Sequence, residues 1–280
     1  MLSYRHGYHA GNHADVIKHM TLCLILRCLE MKEKPYSVVD THAGGGLYSE
    51  DSVFASKNRE FMTGVEMILK SKKLRALVPE YFTVLDELRA EDPKALPGSP
   101  WFESELTRDC DRVTLIDLHP SEIETLKEIF HGDSRINVQK RDAMEAMGAL
   151  LPPTPRRGLC FIDPSYEEKS DIFALVKAMK VAISKWQTGI YAIWYPVLSR
   201  LSDHSKNLVQ ELKHLGLTTL QAELRVKAQD EEIGMCGSGM IVLNYPYALV
   251  EPLKAVTDEL GRELGGDKGG SRFKILIPRE

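Results

Sequence analysis

Arg112-Val-Thr-Leu-Ile-Asp117, Arg135-Ile-Asn-Val-Gln139 and Gly158-Leu-Cys-Phe-Ile-Asp163 are three short apolar runs, and helix-patterned segments at 120–130 and 143–150 separate them. Strand–helix alternation of this kind predicts right-handed crossovers and a mostly parallel sheet with helices on both faces. Outward from these runs, Tyr36-Ser-Val-Val-Asp40 reads as a preceding strand. Gly189–Tyr195, Thr218–Leu224, Met240–Tyr245 and Phe273–Ile277 read as following ones. Further helices are expected at 170–185, 199–215 and 249–263. Gly234-Met-Cys-Gly-Ser-Gly-Met240 reads as a glycine-rich turn, which predicts an antiparallel hairpin at one edge of the sheet.

Two stretches stand outside this pattern. Asn12 followed by Asp15 resembles a capping-box helix start. Behind it Ile17, Met20, Leu24, Cys28 and Met31 recur at steps of three and four, so a helix of about five turns is expected up to Pro35. Residues 50–98 read as helices near 59–72 and 79–90 with no strong strand, bounded by Pro93 and Pro97-Gly-Ser-Pro100. The expected organisation is one α/β domain built from 1–49 and 99–280, with 50–98 as a small inserted helical subdomain.

The 280 residues are 43% hydrophobic and 27% charged, which excludes a disordered chain, a collagen and a coiled-coil rod. Apolar runs such as Leu22–Leu26 are far short of the ~20 residues that span a bilayer, and the N-terminus has no apolar signal core. Five cysteines without a CxxC pair suit a reduced, cytoplasmic protein with free thiols. A net charge of −4 argues against nonspecific coating of nucleic acid, though not against a local basic patch.

In an open parallel sheet, ligands collect outside the carboxyl ends of the strands. After the first strand comes Asp40-x-His42-x-Gly44-x-Gly46, whose glycines allow close backbone approach to a ligand. His42 stands where a GxGxxG loop has its first glycine. The next strand-end carboxylate, Asp117, lies far beyond the ~20 residues expected of a dinucleotide fold. The inserted segment accounts for that gap, and Asp117 is then a candidate ribose ligand. Asp142, after the third strand, reads on spacing alone as the cap of the following helix. The sharpest signal is Asp163-Pro164-Ser165-Tyr166 at the mouth of an apolar strand. Asp163 and the Pro164 carbonyl can each accept an N–H of a planar amine, and the Tyr166 ring can stack on its base. His9 and His13 have metal-ligand spacing, but no HExxH or nearby cysteine completes a site, so no metal is expected. With Tyr4, Arg5, Tyr8 and Lys18 the N-terminal segment suits an aromatic, cationic lid over a base, or else a plain anchor.

Asp163-Pro-Ser-Tyr166 resembles the Asp-Pro-Pro-Tyr motif of S-adenosylmethionine-dependent amino-methyltransferases. Nearly end to end, the chain resembles the bacterial 23S ribosomal RNA adenine-N6 methyltransferase family, RlmJ. The resemblance is carried by Leu2-Ser-Tyr-Arg-His6, His9-Ala-Gly-Asn-His-Ala-Asp15, Lys18-His19, Asp40-Thr-His-Ala-Gly44, Pro97-Gly-Ser-Pro100, Leu118-His-Pro-Ser121, Tyr191-Ala-Ile-Trp-Tyr-Pro196 and Ser238-Gly-Met240. It implies a Rossmann-like methyltransferase fold and S-adenosyl-L-methionine as cofactor. His19, His42, Ser99, Asp117, Asp142, Ala143 and Asp163 would line the cofactor site, with Asp117 on the ribose and Asp142 on the adenine. Asp163, Pro164 and Tyr166 would be catalytic, and Tyr4, His6 and Lys18 would meet the RNA. The implied partner is 23S ribosomal RNA, approached by a monomer without metal or membrane. Ser165 replaces the usual second proline, and Gly45 and Leu47 differ from the commoner loop residues. Guanine-N2 or DNA adenine methylation is the alternative within this chemistry. A nicotinamide-dependent dehydrogenase and an inactive RNA-binding relative are the remoter readings.

Overall fold

A computed structural model describes residues 6–167, 169–229 and 234–279. The chain runs α1 (His13–Glu30), β1 (Ser37–Asp40), β2 (Leu47–Ser49), α2 (Ala55–Asn58), α3 (Val65–Ile68), α4 (Lys72–Leu77) and α5 (Pro79–Glu91). It continues through β3 (Ala95–Pro97), α6 (Ser99–Leu106), β4 (Arg112–Asp117), α7 (Pro120–Ile129), β5 (Ile136–Lys140), α8 (Ala143–Leu150) and β6 (Gly158–Ile162). The last third holds α9 (Lys169–Lys185), β7 (Ile190–Leu198), α10 (Ser205–Lys213), β8 (Thr219–Arg225), β9 (Met235–Leu243), α11 (Val250–Glu263) and β10 (Gly270–Ile277).

The main sheet has the order β10-β8-β9-β7-β6-β1-β4-β5. Strands β5, β4, β1, β6 and β7 are parallel, and β9, β8 and β10 continue the sheet in antiparallel pairs. Strand direction of travel across the sheet reverses between β1 and β6, which is where ligand crevices form in such folds. Alternate residues of one strand serve opposite cores: Val38, Leu159 and Phe161 pack with α1, α6 and α7, while Val39, Cys160 and Ile162 pack with α8, α9 and α10. The expected α/β architecture is therefore present, with one change at its antiparallel end. The β8–β9 hairpin does not form the edge, because β10 pairs outside β8.

Asn12 caps α1 as the sequence suggests, its side-chain oxygen accepting from the N–H groups of Ala14 (2.9 Å) and Asp15 (3.0 Å). The expected single apolar stripe is not what α1 presents. Every residue from His13 to Leu26 is buried, because the sheet covers one side of the helix and α5, α6 and α11 cover the other. Met31 ends the helix exposed at its C-cap. Between 50 and 98 the long helix expected at 59–72 is broken into a 3₁₀ turn, α3 and α4. This segment ties to the N-terminus through Val65 N–H to Gly11 O (2.8 Å) and to α11 through Lys73 and Glu259 (2.6 Å). A short antiparallel pair, β2 with β3, closes its two ends, and α6 starts directly behind at Ser99.

The glycine-rich run at 234–240 is mostly strand, not turn. Gly239 lies opposite Tyr195 on one side and Glu223 on the other. A Cβ there would sit 2.4 Å from the Tyr195 hydroxyl and 2.8 Å from the Ala222 carbonyl oxygen. That hydroxyl is itself fixed, donating to Glu223 (2.9 Å) and accepting from Gln221 (2.7 Å) inside the core. Gly239→Ala is thus expected to destabilise the fold by roughly 1–3 kcal/mol through overpacking, read as a lower urea midpoint with unchanged slope. Among the described residues no helix is long and apolar enough to cross a membrane.

Candidate active site

The carboxyl ends of β1, β4, β5 and β6 surround a cavity of about 240 Å³. Of the residues singled out from sequence, His6, Lys18, His42, Ser99, Asp117, Asp142, Ala143 and Asp163 line it. The loop after β1 bends into place around Gly44 (φ +60°) and Gly46 (φ +78°), left-handed positions that favour glycine. Gly44 N–H donates to Asp117 (2.9 Å), whose other oxygen accepts from His119 N–H (2.7 Å). Asp117 thereby joins the ends of β1 and β4, with lone pairs left toward the cavity. Asp142 does cap α8, accepting from Glu145 N–H (2.9 Å), and it also lines the cavity.

Asp40 lies beneath the loop with no solvent exposure. Ser99 Oγ donates to it at 2.6 Å and His42 N–H at 3.0 Å. Burial pushes its carboxyl up to about 7, against the pull of those two hydrogen bonds. A folded-state pKa raised above the ordinary 3.8 means the native state binds more protons, so stability falls as pH rises between about 4 and 7. Asp40→Asn removes that titration. Its melting temperature is expected to gain on the wild type by several degrees from pH 4 to pH 8, as thermal melts across that range would show.

The densest electrostatics sit between α1 and the end of β6. Lys18 Nζ is 2.7 Å from Asp15 Oδ1 and 2.6 Å from Asp163 Oδ2, and the Lys18 side chain is only 5% exposed. Asp15 Oδ2 accepts from Gly11 N–H (2.9 Å) and meets His6 Nε2 (3.0 Å). Burial disfavours the ammonium, but Asp15 and Asp163 hold its pKa above the ordinary value. Burial likewise opposes charge on Asp15, yet His6 and Lys18 keep its carboxyl well below the usual range. Asp163 N–H approaches His42 Nδ1 at 3.3 Å, and burial keeps the His42 imidazole neutral by lowering its pKa. The wall thus offers acceptors for a diol and an amine, and a carboxylate held in one orientation by a cation. Asp117, Asp142 and Asp163, as carboxylates, accept hydrogen bonds without donating, so this side of the cavity can take hydroxyl and amino groups.

Residues 33–277 match the family model described as ribosomal RNA large subunit methyltransferase D, RlmJ. The chain belongs to this family of ribosomal RNA methyltransferases. It is 40% identical over 266 residues to the ribosomal RNA large subunit methyltransferase J of Escherichia coli, covering 94% of each chain. The Haemophilus influenzae protein of the same name is 37% identical over 274 residues, with 97% of each covered. A crystal structure of a Legionella pneumophila protein superposes with a TM-score of 0.86 at 32% identity, over 95% of this chain and 98% of the other.

In this RlmJ-family chain some sequence candidates stand away from the cavity wall. His19 is buried behind it, its ring 5.0 Å from that of Phe102 and its Nε2 without a hydrogen-bond partner. Burial pushes the His19 pKa down to about 3, so the ring is neutral filling behind Asp15, 3.9 Å away. Tyr166 adopts φ +51° and turns beside the wall, its hydroxyl donating to the Trp194 carbonyl oxygen (2.7 Å). It lines a neighbouring cavity of about 220 Å³ together with Tyr195, Pro196 and His204. Pro164 is buried and lines neither cavity, and Tyr4 lies outside the described residues. Tyr48, Glu122 and Arg141 line the first cavity without being candidates in the sequence, beside His119 of the Leu118-His-Pro-Ser121 stretch. Tyr48 and Arg141 lie one or two residues from predicted loop positions, which was the only signal available for them.

Proposed function

We propose that the chain methylates the exocyclic N6 amine of one adenine in 23S ribosomal RNA, with S-adenosyl-L-methionine as donor. The observation that carries this reading is the Asp163 carboxylate, pinned through Oδ2 by Lys18 at the mouth of β6 on the cavity that Asp117 and Asp142 also line. Asp117 would hold the ribose hydroxyls of the donor, Asp142 and the backbone at Ala143 its adenine, and His42 and Gly44 the loop around it. The donor supplies an electrophilic methyl group. Residues 1–49 and 99–280 form the methyltransferase domain in this proposal, and 50–98 an inserted helical subdomain.

An adenine N6 lone pair is delocalised into the ring and is a poor nucleophile. Asp163 Oδ1 and the Pro164 carbonyl oxygen would each accept one of its N–H groups, returning electron density to nitrogen and aiming it. Positioning of this kind is worth ~7–11 kcal/mol when the geometry is good. As positive charge grows on nitrogen, Asp163 stabilises it in a site where solvent screening is weak. Asp163 Oδ1 or water then takes the proton. Extrusion of a paired base costs a few kcal/mol, and the Tyr166 ring would recover part of that by stacking.

Digestion and mass mapping of 23S RNA from cells with and without the gene tests this reading. One N6-methyladenosine should disappear in the deletion and return with the wild-type gene. Loss of N2-methylguanosine from RNA, or of N6-methyladenine from DNA, would assign a different amine instead.

A further inference from the structure

Helix α9 buries Leu175, Val176, Ala178, Met179 and Ala182 in the core beneath the sheet. Its outer face carries Phe173, which is 74% exposed, followed by exposed Lys177 and Lys180. Spacings of four and three place the ring and both ammonium groups on one side of the helix. They line a groove of about 460 Å³ against α10, whose His204, Asn207 and Glu211 form the other wall. Ile172 and His204 also line the cavity that contains Tyr166, so groove and cavity adjoin across these two side chains. Leu201, 96% exposed, stands at the mouth of that cavity.

An exposed ring with two lysines one and two turns along departs from a protein-partner surface, whose core is depleted in lysine. It has the chemistry of a single-stranded nucleic-acid platform, in which a base stacks on the aromatic face while lysines neutralise phosphates. With the chain at a net charge of −4, phosphate binding depends on local clusters of this kind. Among the described residues that line the groove, Glu211 is the one carboxylate, and it lies on the helix opposite the lysines. We propose that the outer α9–α10 groove holds the single-stranded RNA flanking the target nucleotide, with Phe173 stacking a neighbouring base and Lys177 and Lys180 contacting its phosphates. The inference rests on the ribosomal RNA reading above and adds the route by which the strand leaves the Tyr166 cavity.

The test uses the full chain, an oligoribonucleotide spanning the modified 23S segment, and binding titrations from 50 to 300 mM salt. Phe173→Ala should weaken RNA binding about tenfold, and Phe173→Trp should restore it. The double variant Lys177→Gln with Lys180→Gln should flatten the salt slope by about 1.4, at roughly 0.7 per phosphate of a single strand. S-adenosylmethionine affinity and melting temperature should stay at wild-type values in all of them, because these side chains face solvent. A wild type that methylates the RNA while every variant binds it with unchanged affinity and slope would overturn this inference alone. A change confined to the oligomeric state of Phe173→Ala would overturn it in favour of contact between copies of the chain. A wild type that transfers no methyl group to the RNA would overturn the function reading, and this inference with it.

Discussion

Asp163→Ala is expected to lower methyl transfer to 23S RNA by at least about a thousandfold, while S-adenosylmethionine binding weakens only modestly. The size follows from two losses at one position. The amine is no longer aimed, and the charge that develops on nitrogen no longer faces a carboxylate. Removal of a single group that stabilises transition-state charge typically costs 10²–10³ in kcat. The fold should persist, because Lys18 keeps Asp15 at 2.7 Å and the N-terminal network stays neutralised. Single-turnover transfer from labelled donor, beside calorimetric titration of the donor, separates chemistry from binding. Asp163→Asn is the informative companion: it keeps size and one acceptor oxygen but lacks charge, and should recover little activity. Wild-type turnover in either variant would remove Asp163 from the chemistry.

Lys18→Met should be the most destabilising substitution in the site. The ammonium lies between two carboxylates whose side chains are 4% and 13% exposed. Taking away one partner of a buried ion pair costs about 3–5 kcal/mol, because the remaining charge is left in a poorly solvated place. For a chain of this length that is a drop of about 10 °C in melting temperature. The pH dependence identifies the cause. Asp15 has a depressed folded-state pKa, so its contribution to stability is present above the ordinary carboxylate range and disappears as pH falls through the folded value. The deficit of Lys18→Met should therefore be at full size at pH 7 and shrink only on acidification below about pH 4, from the ordinary Asp15 value of 3.8 downward. A deficit independent of pH would mean that lost packing, not uncompensated charge, is responsible. Activity should fall as well, because Asp163 then lacks the contact that orients Oδ2.

Those two residues mark the limit of what the linear chain reveals. Asp163 is legible because its neighbours are informative: an apolar strand, a carboxylate, a proline and an aromatic in consecutive places. Lys18 draws notice only as part of a basic, aromatic N-terminus that resembles an RNA contact. In the fold it is buried and bound to a carboxylate 145 positions away. Asp15 reads as a helix-start residue, and only the turn through Gly11 and His6 makes it the anchor of the network.

The sequence by itself determined the strand–helix alternation, the parallel centre of the sheet, the cap at Asn12 and the carboxylates at the ends of β4, β5 and β6. These are local properties: side-chain periodicity, turn chemistry and residue identity next to a strand end act over a few residues. Tertiary structure alone decided the all-round burial of α1, the strand character of the glycine-rich run at 234–240, the pairing of β2 with β3, and the turn of Tyr166 toward Trp194. Each of these depends on what a distant segment places against it. A helix covered on both sides needs no single stripe, and a strand facing the Tyr195 ring needs glycine, which read in isolation signals a turn. The three-residue β2–β3 ladder pairs Leu47 with Pro97, far along the chain, and a tyrosine finds its partner carbonyl 28 residues onward. Short-range physics wrote the elements, and long-range packing assigned their neighbours.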